Sequence, residues 1–292
     1  MDSFRNIGIV GREGSGVAET LQRLVTFLQS RGLTVVLGEH IASLLPNHGL
    51  RVSPRKSIGE TCDLVIVVGG DGSFLGAART LSKQPAPILG INRGRLGFLT
   101  DISPDELEEQ IGAVLDGHYT LEKRFLLDVE VKRQGEPVGV GEALNDVVVN
   151  SGTSAHMMEY DLYIEGEFVY RQRSDGLIIS TPTGSTAYSM SGGGPIMHPK
   201  LDAIALVPMF PHTLSSRPIV VDGKSEIKIV IQADNKMPAP VTCDGQEVIP
   251  TRPGDVVYVR KKPHKMTMIH PADHSFYASC RDKLGWGGKL GN

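Results

Sequence analysis

The sequence predicts a chain of α/β plus all-β class, a parallel α/β domain followed by a layered β domain. Three observations carry that expectation. Strand-sized apolar runs alternate with helix-patterned segments over residues 1–122, as in a parallel sheet with crossover helices. Over residues 123–272 the segments become short, alternating and β-rich, with turn pairs between them. The glycines, 34 in 292 residues, gather where strands end. The first part therefore reads as a Rossmann-like α/β domain and the second as a β-sandwich, with the active site expected in the cleft between them.

The elements follow in order. Residues 6–10 form a short apolar strand. Residues 17–31 carry Leu21, Leu24, Val25 and Leu28 at helical spacing, and Gly32 stops the helix. Strands are predicted over 34–37 and over 63–68, the second apolar almost throughout and running into Gly69-Gly70. A helix over 73–82 turns Phe74, Ala77, Ala78 and Leu81 inward, and 87–91 is the next strand. Ser103-Pro104-Asp105-Glu106 is a capping box with proline at the first helical position, opening a helix to Leu115. Beyond Tyr119, strands are predicted over 126–132, 147–150, 160–164, 177–180, 227–231, 256–260 and 266–269. Gln134-Gly135, Glu165-Gly166, Asp222-Gly223 and Asp244-Gly245 are the turns. Residues 273–292 read as a helix that packs back on the first domain.

Composition excludes several classes. Lys+Arg is 30 against Asp+Glu 33, and a net charge of -3 argues against non-specific nucleic-acid binding as the main task. Charged residues at 22% and hydrophobic residues at 40% describe an ordinary globular chain. The N-terminus lacks a signal-peptide pattern, and no apolar run approaches the roughly 20 residues of a membrane span. Cys62, Cys243 and Cys280 form no C-x-x-C pair and read as buried free thiols, not as a disulfide framework or a zinc site. A cytoplasmic protein is expected, with no membrane or nucleic-acid partner.

Four glycine-bearing clusters carry the chemistry. Gly14-x-Gly16 follows the first strand like the start of a dinucleotide fingerprint, with Glu39 after the second strand as a candidate ribose ligand. Glu19 stands where the third glycine belongs, so a plain strand-to-helix turn fits better. Gly69-Gly70-Asp71-Gly72 stands between the strongest strand and a helix, where open α/β sheets bind ligands. Gly69, Gly70 and Gly72 let backbone N–H groups approach phosphate oxygens. Asp71 amid that anion cradle suits a general base or a metal ligand. The segment 90–99 follows the next strand and offers Arg93 and Arg95 as phosphate countercharge. Asp175-Gly176 leads through a buried strand to the hydroxyl-rich run 181–191 and to Gly192-Gly193-Gly194, a pattern suited to sugar or phosphate.

Together, Gly-Gly-Asp-Gly at 69–72, Asn92-Arg-Gly-Arg-Leu-Gly-Phe-Leu99, Asn145-Asp146 and Asp175-Gly-Leu-Ile-Ile-Ser-Thr-Pro-Thr-Gly-Ser-Thr-Ala-Tyr-Ser189 closely resemble the bacterial NAD kinases. The likeness runs over nearly the whole chain and includes 208–212 and 216–218. Gly-Gly-Asp-Gly alone is shared with diacylglycerol, sphingosine and phosphofructokinase-type enzymes, whereas the Thr-Pro-Thr-Gly-Ser-Thr-Ala-Tyr-Ser run is specific. The resemblance implies transfer of the ATP γ-phosphate to the 2′-hydroxyl of the adenosine ribose of NAD, giving NADP. It implies a divalent metal, Mg²⁺ by this reading, and a homo-oligomer, dimer or tetramer. It assigns Asp71 as general base, with Asp71, Gly72, Asn145, Asp146, His156, Arg173, Asp175, Thr186, Ala187, Tyr188, Ser189, Met190, Ser191 and Gln246 on NAD. No side chain is assigned to the metal. Many relatives carry alanine where this chain has Gly192. The alternatives are a lipid or sugar kinase sharing the Gly-Gly-Asp-Gly cradle, or a non-catalytic NAD-binding sensor. Polyphosphate as donor and NADH as acceptor stay open.

Overall fold

The structure, a computed structural model, describes residues 4–14, 16–93, 97–152 and 157–286. The chain divides into two compact units, residues 1–123 with 266–292, and residues 124–265. The first contains β1 (Asn6–Gly11), α1 (Val17–Ser30), β2 (Thr34–Gly38), α2 (Glu39–Ala42), β3 (Arg51–Ser53), α3 (Ile58–Thr61), β4 (Leu64–Val68), α4 (Asp71–Leu81), β5 (Ile88–Ile91) and α5 (Leu107–Leu115). The second holds β6 (Tyr119–Arg133), whose first residues belong to the first unit, then β7 (Glu136–Ala143), β8 (Asp146–Asn150), β9 (Met158–Ile164), β10 (Glu167–Ser174) and β11 (Gly176–Ser180). It continues with α6 (Tyr188–Ser191), β12 (Ala203–Met209), β13 (Ile219–Asp222), β14 (Ile227–Ile231), β15 (Val241–Cys243) and β16 (Glu247–Ile249). Strand β17 (Val256–Pro271) carries the chain back to the first unit, where α7 (Phe276–Leu284) lies.

In the first unit the sheet order is β3-β2-β1-β4-β5, all parallel, with the far end of β17 parallel to β5 through Met268 and Ile88. Central β4 is buried along its whole length, which is why it reads as an unbroken apolar run. Leu21, Leu24 and Leu28 of α1 and Leu107, Ile111 and Val114 of α5 share one core with Ile7, Ile66 and Leu89. Each such side chain contributes roughly 1.5–3 kcal/mol.

The second unit is a sandwich. One sheet contains β10-β9-β14-β17, with β6 on β17 and β7 on β6; the other runs β13-β12-β11-β8-β15-β16. Leu127, Val129, Leu162, Ile229 and Val257 of the first sheet share a core with Val147, Val149, Leu177, Ile179 and Leu206 of the second. Strands β8 and β11 are buried on their other face too, where Val148, Ile178, Ala205 and Val207 pack with Met197. The hydroxyl-rich run is therefore not an open loop: Thr183 to Thr186 form a buried 3-10 turn ahead of α6.

Several boundaries differ from expectation. Helix α4 starts at Asp71 rather than Ser73, because the N–H groups of Ser73 and Phe74 both donate to the Gly70 carbonyl. Asp71 and Gly72 thus form its first turn. Ser103 caps through the Asp105 N–H at 3.3 Å, and Pro104–Glu106 form a 3-10 turn before α5. The strands expected at 256–260 and 266–269 are one continuous strand. Strands β3, β7, β10, β12, β13, β15 and β16 went unpredicted, and most of them are short or polar. No helix among the described residues is long and apolar enough to cross a membrane.

Asp255, 1% exposed, anchors the turn before β17. Its carboxylate accepts from Arg133 Nε and Nη2 at 2.9 and 2.8 Å and from the Arg252 N–H at 2.7 Å. Burial pushes this carboxyl up, and the Arg133 and Arg252 contacts outweigh it and hold it below its ordinary value. A depressed folded-state value means stability present above the ordinary carboxylate range and lost as pH falls through the folded value. Arg133→Met is expected to lower the urea midpoint at pH 7, with the deficit closing in acid as Asp255 protonates; parallel denaturation curves at both pH values check this.

Candidate functional site

In the α/β unit, β4 and β5 end side by side, paired through Val68 and Ile91. The Gly69 N–H donates to the Ile91 carbonyl at 3.0 Å, and the Arg93 N–H donates to the Gly69 carbonyl at 3.2 Å. This binds the Gly-Gly-Asp-Gly turn to the start of the arginine-bearing segment. Gly70 caps α4, and a side chain there would meet no atom of the described residues within 4 Å. Gly70 and the exposed Gly72 stand at the N-terminus of α4, where the helix dipole favours an anion.

Asp71 is half-buried, and three donors grip its carboxylate. The Phe98 N–H donates to Oδ2 at 2.7 Å, while the Leu99 N–H and the Thr100 hydroxyl donate to Oδ1 at 3.1 and 3.2 Å. Gly97 makes this possible: a Cβ there would stand 1.8 Å from Asp71 Oδ1.

Two arginines and a lysine stand by this region among the described residues. Arg93 lies against Gly16, whose φ is +73 and where a Cβ would come within 1.8 Å of Nη2. The first glycine cluster thus seats an arginine. Arg55 donates from Nη2 to the Ser73 carbonyl at 3.2 Å; burial first, then the Arg79 charge, lowers its pKa. Ser73 Oγ, Asn92 Oδ1, Arg55 Nε and Arg93 Nε are buried without a hydrogen-bond partner among the described residues. From α7, the Lys283 ammonium stands 4.6 Å from the Phe98 ring centroid. Burial lowers its pKa against the charges of Asp101 and Asp71. Arg55 and Lys283 have no motif around them, and only their placement reveals them. Arg95 lies outside the described residues, as does Gly94.

In the β unit, a second carboxylate organises the set. Asp244, in the turn between β15 and β16, accepts from the backbone N–H groups of Leu144, Asn145 and Asp146 at 3.1, 2.7 and 3.3 Å. The Thr181 hydroxyl donates to the Leu144 carbonyl at 2.6 Å and accepts from the Gly184 N–H at 3.1 Å. Gly184 must be glycine, since a Cβ would lie 2.2 Å from the Asn145 carbonyl oxygen. Asn145 and Asp146 are thereby buried at a fixed position, and Asn145 Oδ1 has no hydrogen-bond partner among the described residues. Burial first, then the Asp244 charge, raises the Asp146 carboxyl to about 7.

Many hydroxyls of the run 181–191 serve the fold. Ser185 Oγ donates to the Pro182 carbonyl at 2.7 Å and accepts from the Met197 N–H at 2.9 Å. Ser189 is fully buried under Gly194, and Thr186 is buried as well. Ala187 and Met190 are half-buried, whereas Tyr188 and Ser191 are exposed. Gly192 has φ -78, so alanine fits the backbone, but its Cβ would press on Val207 at 3.0 Å and Ile178 at 3.2 Å. Asp175 is half-buried, its N–H donating to the Met209 carbonyl, while Arg173 is exposed beside it. Gln246 follows the Asp244-Gly245 turn and is exposed. His156 lies outside the described residues. Asp244, read from sequence only as a turn residue, is the member that sequence reasoning missed.

A parallel α/β sheet with a glycine turn, one gripped carboxylate and clustered arginines at its strand ends defines a kinase-class nucleotide enzyme. The comparisons give the particular family. Residues 7–119 match the model of the ATP-NAD kinase N-terminal domain, and residues 144–271 match that of the C-terminal domain. The chain belongs to the ATP-NAD kinase family. It is 61% identical to an NAD kinase of Azotobacter vinelandii and 62% identical to one of Pseudomonas syringae pv. syringae, covering 100% of this chain and 99% of each relative. Among solved structures it resembles yeast NADH kinase complexed with NADH at TM-score 0.88 and 26% identity, over 100% of this chain and 90% of that one. It also resembles an Archaeoglobus fulgidus NAD kinase in complex with ATP at TM-score 0.73 and 26% identity, over 98% of this chain and 100% of that one.

Two outcomes follow from the geometry. Gly97→Ala displaces the Asp71 carboxylate and should cost at least about tenfold in kcat, a barrier rise of about 1.4 kcal/mol or more, with the melting curve little changed. Asp146 ionises at about 7 folded against an ordinary value near 4, so the native state binds the extra proton and loses stability as pH rises between them. Asp146→Asn abolishes this loss. Relative to the variant, the wild type should lose up to about 1.4 kcal/mol per pH unit across that window, read from urea titrations at pH 5, 6, 7 and 8.

Proposed function

We propose that this chain is an NAD kinase that transfers the γ-phosphate of ATP to the 2′-hydroxyl of the adenosine ribose of NAD, with Asp71 as general base. The observation that carries the reading is the Asp71 carboxylate, held by Phe98, Leu99 and Thr100 beside the open glycine turn. Among the described residues Oδ2 accepts one hydrogen bond, from Phe98, and a second lone pair there suits the attacking hydroxyl's proton. Phosphoryl transfer asks the protein mainly for position and charge. Gly70 and Gly72 present backbone to the donor phosphates, with Arg93 as countercharge, whereas the Gly69 N–H is spent on the Ile91 carbonyl and Gly69 shapes the turn instead.

A divalent ion of the Mg²⁺ kind fits these residues. It is held chiefly by phosphate oxygens and waters with one or two carboxylates, and Asp71 is the carboxylate in place. Bound with ATP, it neutralises charge on the phosphates.

On the β unit, Asn145 Oδ1 and the Asp146 carboxyl are the fixed polar groups for the ribose and base of NAD, supported by Asp175, Tyr188 and Ser191. Ser189 and Thr186, being buried, shape the pocket's wall through packing and backbone. The buried free thiols Cys62, Cys243 and Cys280 suit a reducing cytoplasm.

The test is incubation with ATP, Mg²⁺ and NAD, and detection of NADP by an NADP-specific dehydrogenase. Arms with NADH and polyphosphate define acceptor and donor. NADP should form; phosphorylation of a lipid or sugar alcohol instead, or NAD binding with no product, overturns the reading. Asp71→Asn should lose ~10²–10⁴-fold in kcat while NAD binding persists. Near-normal turnover of that variant removes the base assignment.

A further inference from the structure

The α/β unit holds a group of side chains that phosphoryl transfer does not use. Asp101 lies just beyond Thr100, His270 is near the end of β17, and His274 precedes α7. The two imidazole rings stack, centroids 4.2 Å apart and planes 19° from parallel. Both turn Nδ1 toward the Asp101 carboxylate: His270 Nδ1 contacts Oδ2, and His274 Nδ1 stands 3.3 Å from Oδ1. The donor atoms of all three lie within 4.8 Å of one another.

We infer that Asp101, His270 and His274 form a binding site for a divalent transition-metal ion of the Zn²⁺ class, distinct from the hard cation that accompanies ATP.

The donor chemistry selects the ion. Two imidazole nitrogens and one carboxylate oxygen suit zinc and its first-row neighbours, whereas Mg²⁺ and Ca²⁺ take oxygen shells. With metal–ligand bonds of about 2.0–2.2 Å, tetrahedral donors lie roughly 3.3–3.5 Å apart, close to the separation seen for His274 and Asp101. Binding an ion here opens the direct contact between His270 Nδ1 and Asp101 Oδ2 and releases its proton, while His274 already stands at the right separation.

The surroundings are those of a ligand set. His270 is 1% exposed, and its Nε2 is buried without a hydrogen-bond partner among the described residues. Glu122 Oε2 stands 3.7 Å from that nitrogen. In metal sites a carboxylate hydrogen-bonded to the far nitrogen of a ligating imidazole fixes its tautomer, and Glu122 is the group placed to close that bond when an ion binds. His274 is on the accessible side, at the wall of a cavity of about 210 Å³. Asp101, Glu106, Asp273 and Asp282 line that cavity against Lys283, so a cation entering it meets an acidic wall. The cavity side supplies room for water as the remaining ligand, as in three-ligand zinc sites. No cysteine is needed, which agrees with reading the thiols as buried and free.

The test uses the full chain, stripped with a chelator and freed of any purification tag. Zn²⁺ uptake is measured by competition with a chromophoric chelator, and Co²⁺ uptake by visible absorption. One ion per chain, a four-coordinate cobalt spectrum and a rise in melting temperature on adding Zn²⁺ are expected. His274→Ala and Asp101→Asn should each weaken uptake by at least about tenfold. His274→Gln stands in should the alanine variant fail to melt cooperatively. Absence of stoichiometric uptake overturns the proposal. So does uptake that a folded His274 variant leaves intact, since the ion then sits elsewhere.

Discussion

The Asp71 carboxylate, gripped by two backbone N–H groups and one hydroxyl of the segment 98–100, is the interaction on which the chemistry proposed for the α/β unit depends. Charge-assisted hydrogen bonds of this kind are about twice as strong as neutral ones and directional, so they set where the oxygens point. They also fasten the first turn of α4 to the chain beyond β5. An aspartate there is favoured by the helix dipole, and the same dipole favours phosphate. One geometry thus serves both the fold and the base role proposed for Asp71. Gly97 marks how close the approach is, since any side chain at that position would occupy the space of the carboxylate.

The β unit repeats the device with different parts. Asp244 gathers the N–H groups of 144–146, and Thr181 and Gly184 close on the same residues from β11's side. The run 181–191 is itself buried at Thr183 to Thr186, and Met197 beyond it packs with Val148 and Ile178 on the outer face of β8 and β11. This explains why a motif rich in hydroxyls spends several of them on its own backbone. Polar groups that must be buried need partners, and Thr181 and Ser185 find theirs locally. Asn145 Oδ1, whose backbone is held by those bonds, has no hydrogen-bond partner among the described residues, which is what the proposed NAD contact uses.

The C-terminal residues add a third set of charges to the α/β unit. His270 and His274 converge on Asp101, and Lys283 stands over Phe98 within the field of Asp71. Thr100, which grips Asp71, and Asp101, which meets the histidines, are adjacent in sequence. Whatever stabilises Asp101 therefore steadies the segment that orients the proposed base.

By itself the sequence determined the elements with strong local periodicity: β1, α1, β4, β5, α5 and β14 lie where apolar spacing and turn residues put them. It also determined the family, because the motifs at 69–72, 92–99 and 175–189 are contiguous runs. Tertiary structure decided the rest. Asp71 meets partners 27 to 29 positions away, Asp244 about a hundred, and His270 meets Asp101 across 169. Short strands such as β3, β15 and β16 carry too few residues for a period and exist because a neighbour supplies the ladder. Arg55, Lys283 and Asp244 have no local signature, since their roles arise from what the folded chain places around them. Periodicity and motif are properties of neighbours along the chain, whereas hydrogen-bond partners, burial and electric field are properties of neighbours in space.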